Sequence, residues 1–259
     1  YSRARPAGCP ECAGPYLEQV GVGTQRVESE IMQRWPEARV ARLDRDTAQR
    51  KGAAARVLGR LASGELDILV GTQMVAKGHD FPRVTLVGVI SADLGLTVAD
   101  FRAAERTFQL LTQVAGRAGR GQRPGEAIIQ TLYPDHYSIR YACSQAYGPF
   151  YEEELRFRRA MRYPPQVQLI CAVIRGKVME KALRDAGDLA VRLRRRHGQF
   201  TVLGPAAAPI GKLRGQYRAQ LFLKGPYRRE MREALFECLS GQPELNRRVV
   251  IDVDPLSML

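Results

Sequence analysis

The sequence predicts an α/β chain in two parts, a parallel-sheet domain followed by a small α+β domain of ferredoxin-like order. Two observations carry this reading. In the first half, short β-branched runs at 38–43, 67–70, 84–90 and 126–130 alternate with segments of helical period, the order that builds parallel βαβ units. Beyond Pro164 and Pro165 the pattern becomes strand 167–174, helix 179–196, strand 201–203, strand 217–223, helix 227–239 and strand 248–253, a βαββαβ order.

The elements follow from local chemistry. Strand 67–70 runs straight into Gly71, Thr72 and Gln73, so these polar residues fall at the carboxyl edge of a strand, where open α/β sheets place ligands. A helical stretch rich in Tyr and Arg follows Tyr133-Pro134-Asp135 and stops at Tyr163-Pro164-Pro165, because proline cannot continue a helix. The reading divides the chain into an opening segment 1–17, an α/β domain 18–135, a helical linker 136–165 and a C-terminal domain 166–259.

Composition narrows the function classes. At 259 residues, 45% hydrophobic and 26% charged, the chain can bury a core and is neither collagen-like nor low-complexity. Forty Lys and Arg against 27 Asp and Glu give +13, which favours polyanionic partners, nucleic acid first among them. The second half is the more basic: residues 1–140 hold 19 basic and 15 acidic groups, residues 141–259 hold 21 and 12. No apolar run approaches the roughly 20 residues that cross a bilayer, and the start lacks a signal-peptide pattern, so no membrane role and a cytosolic location are expected. Five cysteines, an odd number, argue for reduced thiols rather than a disulfide framework. Cys143, Cys171 and Cys238 have no neighbouring ligand or base and are expected to pack, buried or half-buried, as small apolar groups.

Two motifs carry chemistry. In Gln113-Val114-Ala115-Gly116-Arg117-Ala118-Gly119-Arg120-Gly121, two arginines three apart stand among small residues. On a helix or tight turn that spacing points both guanidiniums one way, and the small neighbours let a triphosphate approach them. The plainer alternative is a flexible, basic, glycine-rich turn. The second motif is 71–82, a strand end followed by polar and glycine residues. Its hydroxyl, amide and backbone donors can track the phosphates of a single strand, with Lys77 adding charge and Asp80 able to accept from a ribose hydroxyl or orient an arginine. An ordinary capped βα loop is the alternative.

These residues, with Ala99-Asp100-Phe101-Arg102-Ala103-Ala104-Glu105-Arg106 between them, resemble the second RecA-like lobe of superfamily-two helicases. More narrowly, the chain resembles the PriA family of bacterial replication-restart helicases along its whole length, from Cys9-Pro10-Glu11-Cys12 through Gly21-Val22-Gly23-Thr24 and Leu43-Asp44-Arg45-Asp46-Thr47 to Ile251-Asp252-Val253-Asp254-Pro255.

The resemblance implies a set of roles. Arg117 and Arg120 become candidate γ-phosphate ligands, Arg120 the likelier arginine finger, with Gln113 helping to hold them. Thr72, Gln73 and Lys77 would contact the DNA strand, Gly78 and Asp80 the nucleotide, and Gly23 and Thr24 a backbone phosphate. His79 reads better as a structural hydrogen-bonding residue. Cys9 and Cys12 resemble the last pair of a zinc-binding region, of which 1–17 would be the remnant, with the other ligands upstream. In the C-terminal domain the resemblance implies branched DNA and the acidic tail of single-strand-binding protein as partners.

The residues themselves say where such contacts belong. Arg156-Phe157-Arg158-Arg159, Arg194-Arg195-Arg196 and Lys212-Leu213-Arg214-Gly215-Gln216-Tyr217-Arg218 combine charge with rings. The Arg194 group reads as a helix end, where cations complement the dipole. The 212–218 segment, expected as a loop between strands, is the better DNA site through Lys212, Arg214, Tyr217 and Arg218.

The departures matter equally. Neither Gly-x-x-x-x-Gly-Lys followed by Ser or Thr nor Asp-Glu-x-His occurs, so the phosphate cradle and the Mg²⁺-holding acid are missing from this sequence. The expectation is therefore the C-terminal half of a longer 3′–5′ DNA helicase that takes ATP with Mg²⁺, remodels stalled forks and works with primosome proteins and the replicative helicase. This chain alone is expected to be inactive. The alternative is a motor-less module that binds forks and recruits restart partners.

Overall fold

A computed structural model describes residues 8, 12, 14, 23–44, 46–49, 52–73, 81–119 and 124–258. They fall into two compact units: Tyr1–Leu96 with Arg106–Ala146, and Thr97–Glu105 with Tyr147–Leu259. The helical stretch 136–165 holds two helices, Tyr137–Cys143 and Tyr147–Ala160, one in each unit. No helix among the described residues is long and apolar enough to cross a membrane.

In the first unit, α1 (Thr24–Arg34) precedes β1 (Val40–Leu43), which pairs in parallel with β2 (Ile68–Gly71) across α2 (Ala53–Ser63). The βαβ order expected from the periodicity is present, since a parallel pair needs a crossover of this kind. Leu43, Leu58 and Phe81 form the buried seam, with Val57, Leu61, Leu69 and Val84 packed around it. At the strand entrance, the Arg39 backbone N–H and guanidinium all donate to the Asp67 carboxylate at 2.7–2.9 Å. Those hydrogen bonds hold the Asp67 pKa far below the usual carboxylate range.

A second parallel pair joins β3 (Leu86–Val89) to β4 (Glu126–Ile129), with α3 (Ala103–Ala115) in the connection. Asp100 starts that helix: its carboxylate accepts from the Arg102 N–H at 3.0 Å while its carbonyl accepts from the Ala103 N–H at 2.9 Å.

With α4 (Tyr137–Cys143) and α5 (Tyr147–Ala160) completing the middle of the chain, the second unit continues with β5 (Gln168–Gly176), α6 (Met179–Arg194), β6 (Thr201–Leu213), β7 (Gln216–Gly225), α7 (Arg228–Ser240), α8 (Pro243–Asn246) and β8 (Val249–Val253). The sheet is antiparallel throughout in the order β6-β7-β5-β8, the ferredoxin-like arrangement the βαββαβ pattern predicts. Ile170, Ala172 and Ile174 of β5 and Leu221 and Leu223 of β7 face Leu189 and Leu193 of α6 and Met231 and Leu235 of α7, none more than 1% exposed. Each of the Ile, Leu and Met side chains among them contributes roughly 1.5–3 kcal/mol by leaving water.

One expectation is corrected here. Residues 212–218 are not a loop but the closed end of the β6–β7 hairpin, with Lys212 opposite Tyr217 and Leu213 opposite Gln216. Arg214 (φ 49°) and Gly215 (φ 78°) make a two-residue turn with both residues left-handed, the backbone hand that suits twisted strands.

Candidate functional site

The arginine motif is built by the end of α3. Phe108 and Leu111, 4% and 1% exposed, anchor the helix, and Gln113 stands exposed on its last turn. The helix stops at Ala115, so the helical form of the expected Arg117–Arg120 spacing does not hold. Instead the Gly116, Arg117 and Ala118 N–H groups donate back to the Thr112, Val114 and Ala115 carbonyls at 3.0–3.2 Å, and the chain tightens into turns. Arg117, half-buried, sits in these turns.

Gly119 then takes φ +73° and donates its N–H to the Val84 carbonyl at 3.1 Å. Its backbone crosses that of Gly125 so closely that a Cβ on either would collide with the other. Two of the small residues read as room for a triphosphate thus have a folding role: Gly119 and Gly125 let two backbones pass where no side chain would fit. Arg120 itself lies outside the described residues, as do Lys77, Gly78, His79 and Asp80.

At the carboxyl edge of the other parallel pair, Gly71 is the register partner of Leu43, so Thr72 and Gln73, both exposed, emerge beside Asp44. Asp44 accepts from the Thr47 N–H at 2.9 Å, the Thr24 hydroxyl at 2.7 Å and the Asp46 N–H at 3.1 Å. The Thr47 N–H and then the Thr24 hydroxyl hold the Asp44 pKa down to about 2. Thr24 therefore spends its proton on Asp44, tying the start of α1 to the end of β1. Gly23, exposed, precedes the helix. Asp44 is a residue the sequence reading quoted without assigning a role. The signal was its spacing to Thr47, whose hydroxyl also donates to the Asp44 carboxylate at 3.1 Å in a reciprocal turn.

In the second unit, Lys212 places its Nζ 4.7 Å from the centre of the Tyr217 ring at the hairpin end, with Arg214 exposed at the turn. Arg218 donates to the Ile210 carbonyl at 3.4 Å. The register sets Arg218 directly opposite Arg175 of β5, and the even-numbered residues of β5 in the core put the exposed Arg175 on the opposite face of the sheet. Sequence reasoning missed Arg175, which only the alternation of β5 together with the register could have revealed.

Other candidates have structural partners. Arg158 is not a free basic group: its side chain is 11% exposed and forms ion pairs at 2.6 Å with Glu105 and with Glu154. Arg194 donates to the Gly204 carbonyl at 2.6 Å, and Arg196 pairs with Glu237. Burial pushes the Cys171 thiol up to about 11 and raises Cys238 as well, as expected of packed cysteines. Cys143 is exposed, against the expectation, because it lies on the last turn of the short α4.

Cys12 is exposed, Cys9 lies outside the described residues, and no group of three or more His, Cys, Asp or Glu that could hold a metal occurs among the described residues. They do not make a zinc site on their own, because tetrahedral Zn²⁺ needs four ligands. Of the residues expected to face ATP with Mg²⁺, Gln113 and Arg117 are described, the first exposed on the last turn of α3 and the second half-buried in the turns that follow.

Comparison with known proteins defines the class. Residues 20–122 match the helicase conserved C-terminal domain, and residues 159–256 match the primosomal protein N C-terminal domain. The chain therefore carries a RecA-like helicase lobe followed by the C-terminal domain of a primosomal protein. It is 44% identical over 259 residues to the replication restart protein PriA of Bacillus subtilis, covering 98% of this chain and 32% of that protein. Identity to the PriA of Synechocystis is 41% over 261 residues (100% of this chain, 31% of the relative), and to that of Haemophilus influenzae 39% over 258 (96% and 35%). The chain belongs to the PriA family, matching its C-terminal part and spanning about a third of the length of these relatives.

Proposed function

We propose that this chain is the C-terminal part of an ATP-dependent 3′–5′ DNA helicase that recognises and remodels stalled replication forks and promotes primosome assembly and loading of the replicative helicase. The observation that carries the reading is the turn after α3, where Arg117 sits half-buried just before the close approach of Gly119 and Gly125, within the stretch that matches the helicase conserved C-terminal domain.

In this reading, ATP with Mg²⁺ is cradled by a phosphate loop elsewhere in the complete protein. Arg120 acts as the finger and Arg117 as a second γ-phosphate ligand, fixed charges that neutralise what develops on the transferred phosphoryl group. Gln113, Gly78 and Asp80 line the nucleotide side. Thr72, Gln73, Lys77, Gly23 and Thr24 track the strand, Thr24 through the backbone amide at the start of α1 because its hydroxyl proton serves Asp44.

The C-terminal domain binds forked DNA through Lys212, Arg214, Tyr217 and Arg218 and takes the acidic tail of single-strand-binding protein. Support for a polyanion there comes from the opposed Arg175 and Arg218, since like charges directly across a strand pair destabilise it unless an anion stands between them. Cys9 and Cys12 complete a zinc site with cysteines from upstream.

The test is steady-state ATP hydrolysis by the complete gene product with and without forked DNA, alongside unwinding of a 3′-tailed duplex. DNA-stimulated hydrolysis with 3′–5′ unwinding is expected. Fork binding with no hydrolysis would instead favour the motor-less module.

A further inference from the structure

The two faces of the β6–β7 hairpin carry different groups. Along β7, Ala219, Leu221 and Leu223 enter the core beneath the helices, so Tyr217 and its register partner Lys212 stand on that side of the sheet. Gln216 and Arg218 alternate with them and stand on the opposite side, together with Leu213, the partner of Gln216, and Arg175, the partner of Arg218. One face thus ends in a cation on a ring, with the Lys212 Nζ 4.7 Å from the Tyr217 centroid. The other ends in an apolar side chain, Leu213, with two guanidiniums behind it.

Leu213, 49% exposed, is the last strand residue before the two-residue turn of Arg214 and Gly215. Arg214 holds φ 49°, a backbone that glycine or asparagine adopts at less cost than arginine. Such an outlier points to a side chain kept for its chemistry, here a cation at the apex. Arg218 lies two residues behind Gln216, about 7 Å along the strand, which matches two nucleotide steps of a stacked strand.

The occupant these groups suit is the end of a DNA duplex where its strands part. A branched aliphatic side chain on a paired, closed hairpin can lie against the last base pair and loosen it from the stack, as apolar wedges do when they enter a base step. Cations on either side then hold the phosphates of the separated strands. A lone surface leucine calls for no ligand, but this one stands between an opposed pair of arginines and a third at the apex.

We propose that the β6–β7 hairpin is a strand divider: Leu213 abuts the terminal base pair of a fork, Arg175 and Arg218 take the phosphates of one strand, and Lys212 with Tyr217 takes the other strand. The role rests on the fork-DNA reading of this domain given above, which treats these residues as a single patch.

The experiment uses the complete gene product without ATP and a fork whose terminal base pair carries a fluorescent purine analogue, the emission of which rises when it leaves the stack. A severalfold rise is expected on binding of the wild type. Leu213→Ala should remove most of the rise, while fork Kd stays within about threefold because phosphate contacts dominate affinity. Leu213→Met, which restores an apolar side chain of similar size, should recover it. Anisotropy over a salt series on two partial forks, each lacking one single-stranded arm, then locates the cations. Arg218→Gln should lower the slope of log K against log salt by about one on one partial fork, and Lys212→Gln by about one on the other. No rise with the wild type, an equal rise with Leu213→Ala, or both cation variants acting on the same partial fork overturns the strand divider. Fork binding that neither cation variant weakens overturns the reading of this hairpin as a DNA site.

Discussion

The backbone of Gly119 crosses that of Gly125 with no space for a Cβ on either, and the Gly119 N–H is held by the Val84 carbonyl at 3.1 Å. Two points of the arginine segment are thereby fixed to the edge of the β3–β4 pair. Gly125→Ala should force these backbones apart and cost about 1–3 kcal/mol of stability, the usual range for overpacking. Denaturant unfolding measures the cost. In the complete protein the same variant should lose ATP hydrolysis well beyond any loss of fork affinity, because it disturbs the turn that follows Arg117 and leaves the hairpin of the other unit alone.

Thr24 and Asp44 give a pH signature. The Asp44 pKa is lowered to about 2, so its contribution is fully present above the unfolded carboxylate value, about 4, and is lost as pH falls through that range towards 2. Thr24→Ala removes one of the hydrogen bonds that lower it. Denaturant unfolding followed by circular dichroism should show the variant less stable than the wild type at neutral pH, with the difference shrinking as pH falls from about 4 towards 2.

Arg175 and Arg218 face each other across β5 and β7. Without DNA, Arg218→Gln should leave stability unchanged or raise it by up to about 1 kcal/mol, the scale of a relieved like-charge pair. With forked DNA, the same variant should weaken binding and lower the slope of log K against log salt by about one, as loss of one phosphate contact requires. Fluorescence anisotropy over a salt series reads both effects. An unchanged slope would show that Arg218 does not touch phosphate.

Much of the architecture is legible in the sequence because short apolar runs and helical periods succeed one another. β5 reads as a strand because 169–174 is a short unbroken apolar run between the prolines at 164–165 and Gly176, and the ferredoxin-like order follows from the succession of elements. β6 is mostly hidden: Pro205 and Pro209 interrupt the pattern after 203, yet the strand runs to Leu213. It can do so because it lies at the sheet edge and shifts register between Leu203 and Ala206 and between Ala207 and Lys212, where a missing N–H costs little.

Local sequence also cannot show partners far along the chain. Arg158 reads as part of a basic run, but Glu105 is 53 positions away and turns it into a buried bridge. The role of Asp44 was closer to view, since its Thr47 partner is local, whereas Thr24 is 20 positions away. The arginine motif was legible as chemistry but not as geometry, because only the meeting of Gly119 with Gly125 shows why its small residues are glycines.

The central claim is that the segment crossing at Gly119 and Gly125 supplies a finger to ATP held elsewhere in the complete protein. It is tested most directly by kcat for DNA-stimulated ATP hydrolysis in Arg120→Ala. The account predicts a fall of about 10³–10⁵, equivalent to roughly 4–7 kcal/mol of transition-state stabilisation, with fork affinity nearly unchanged. Turnover at the wild-type rate would contradict it.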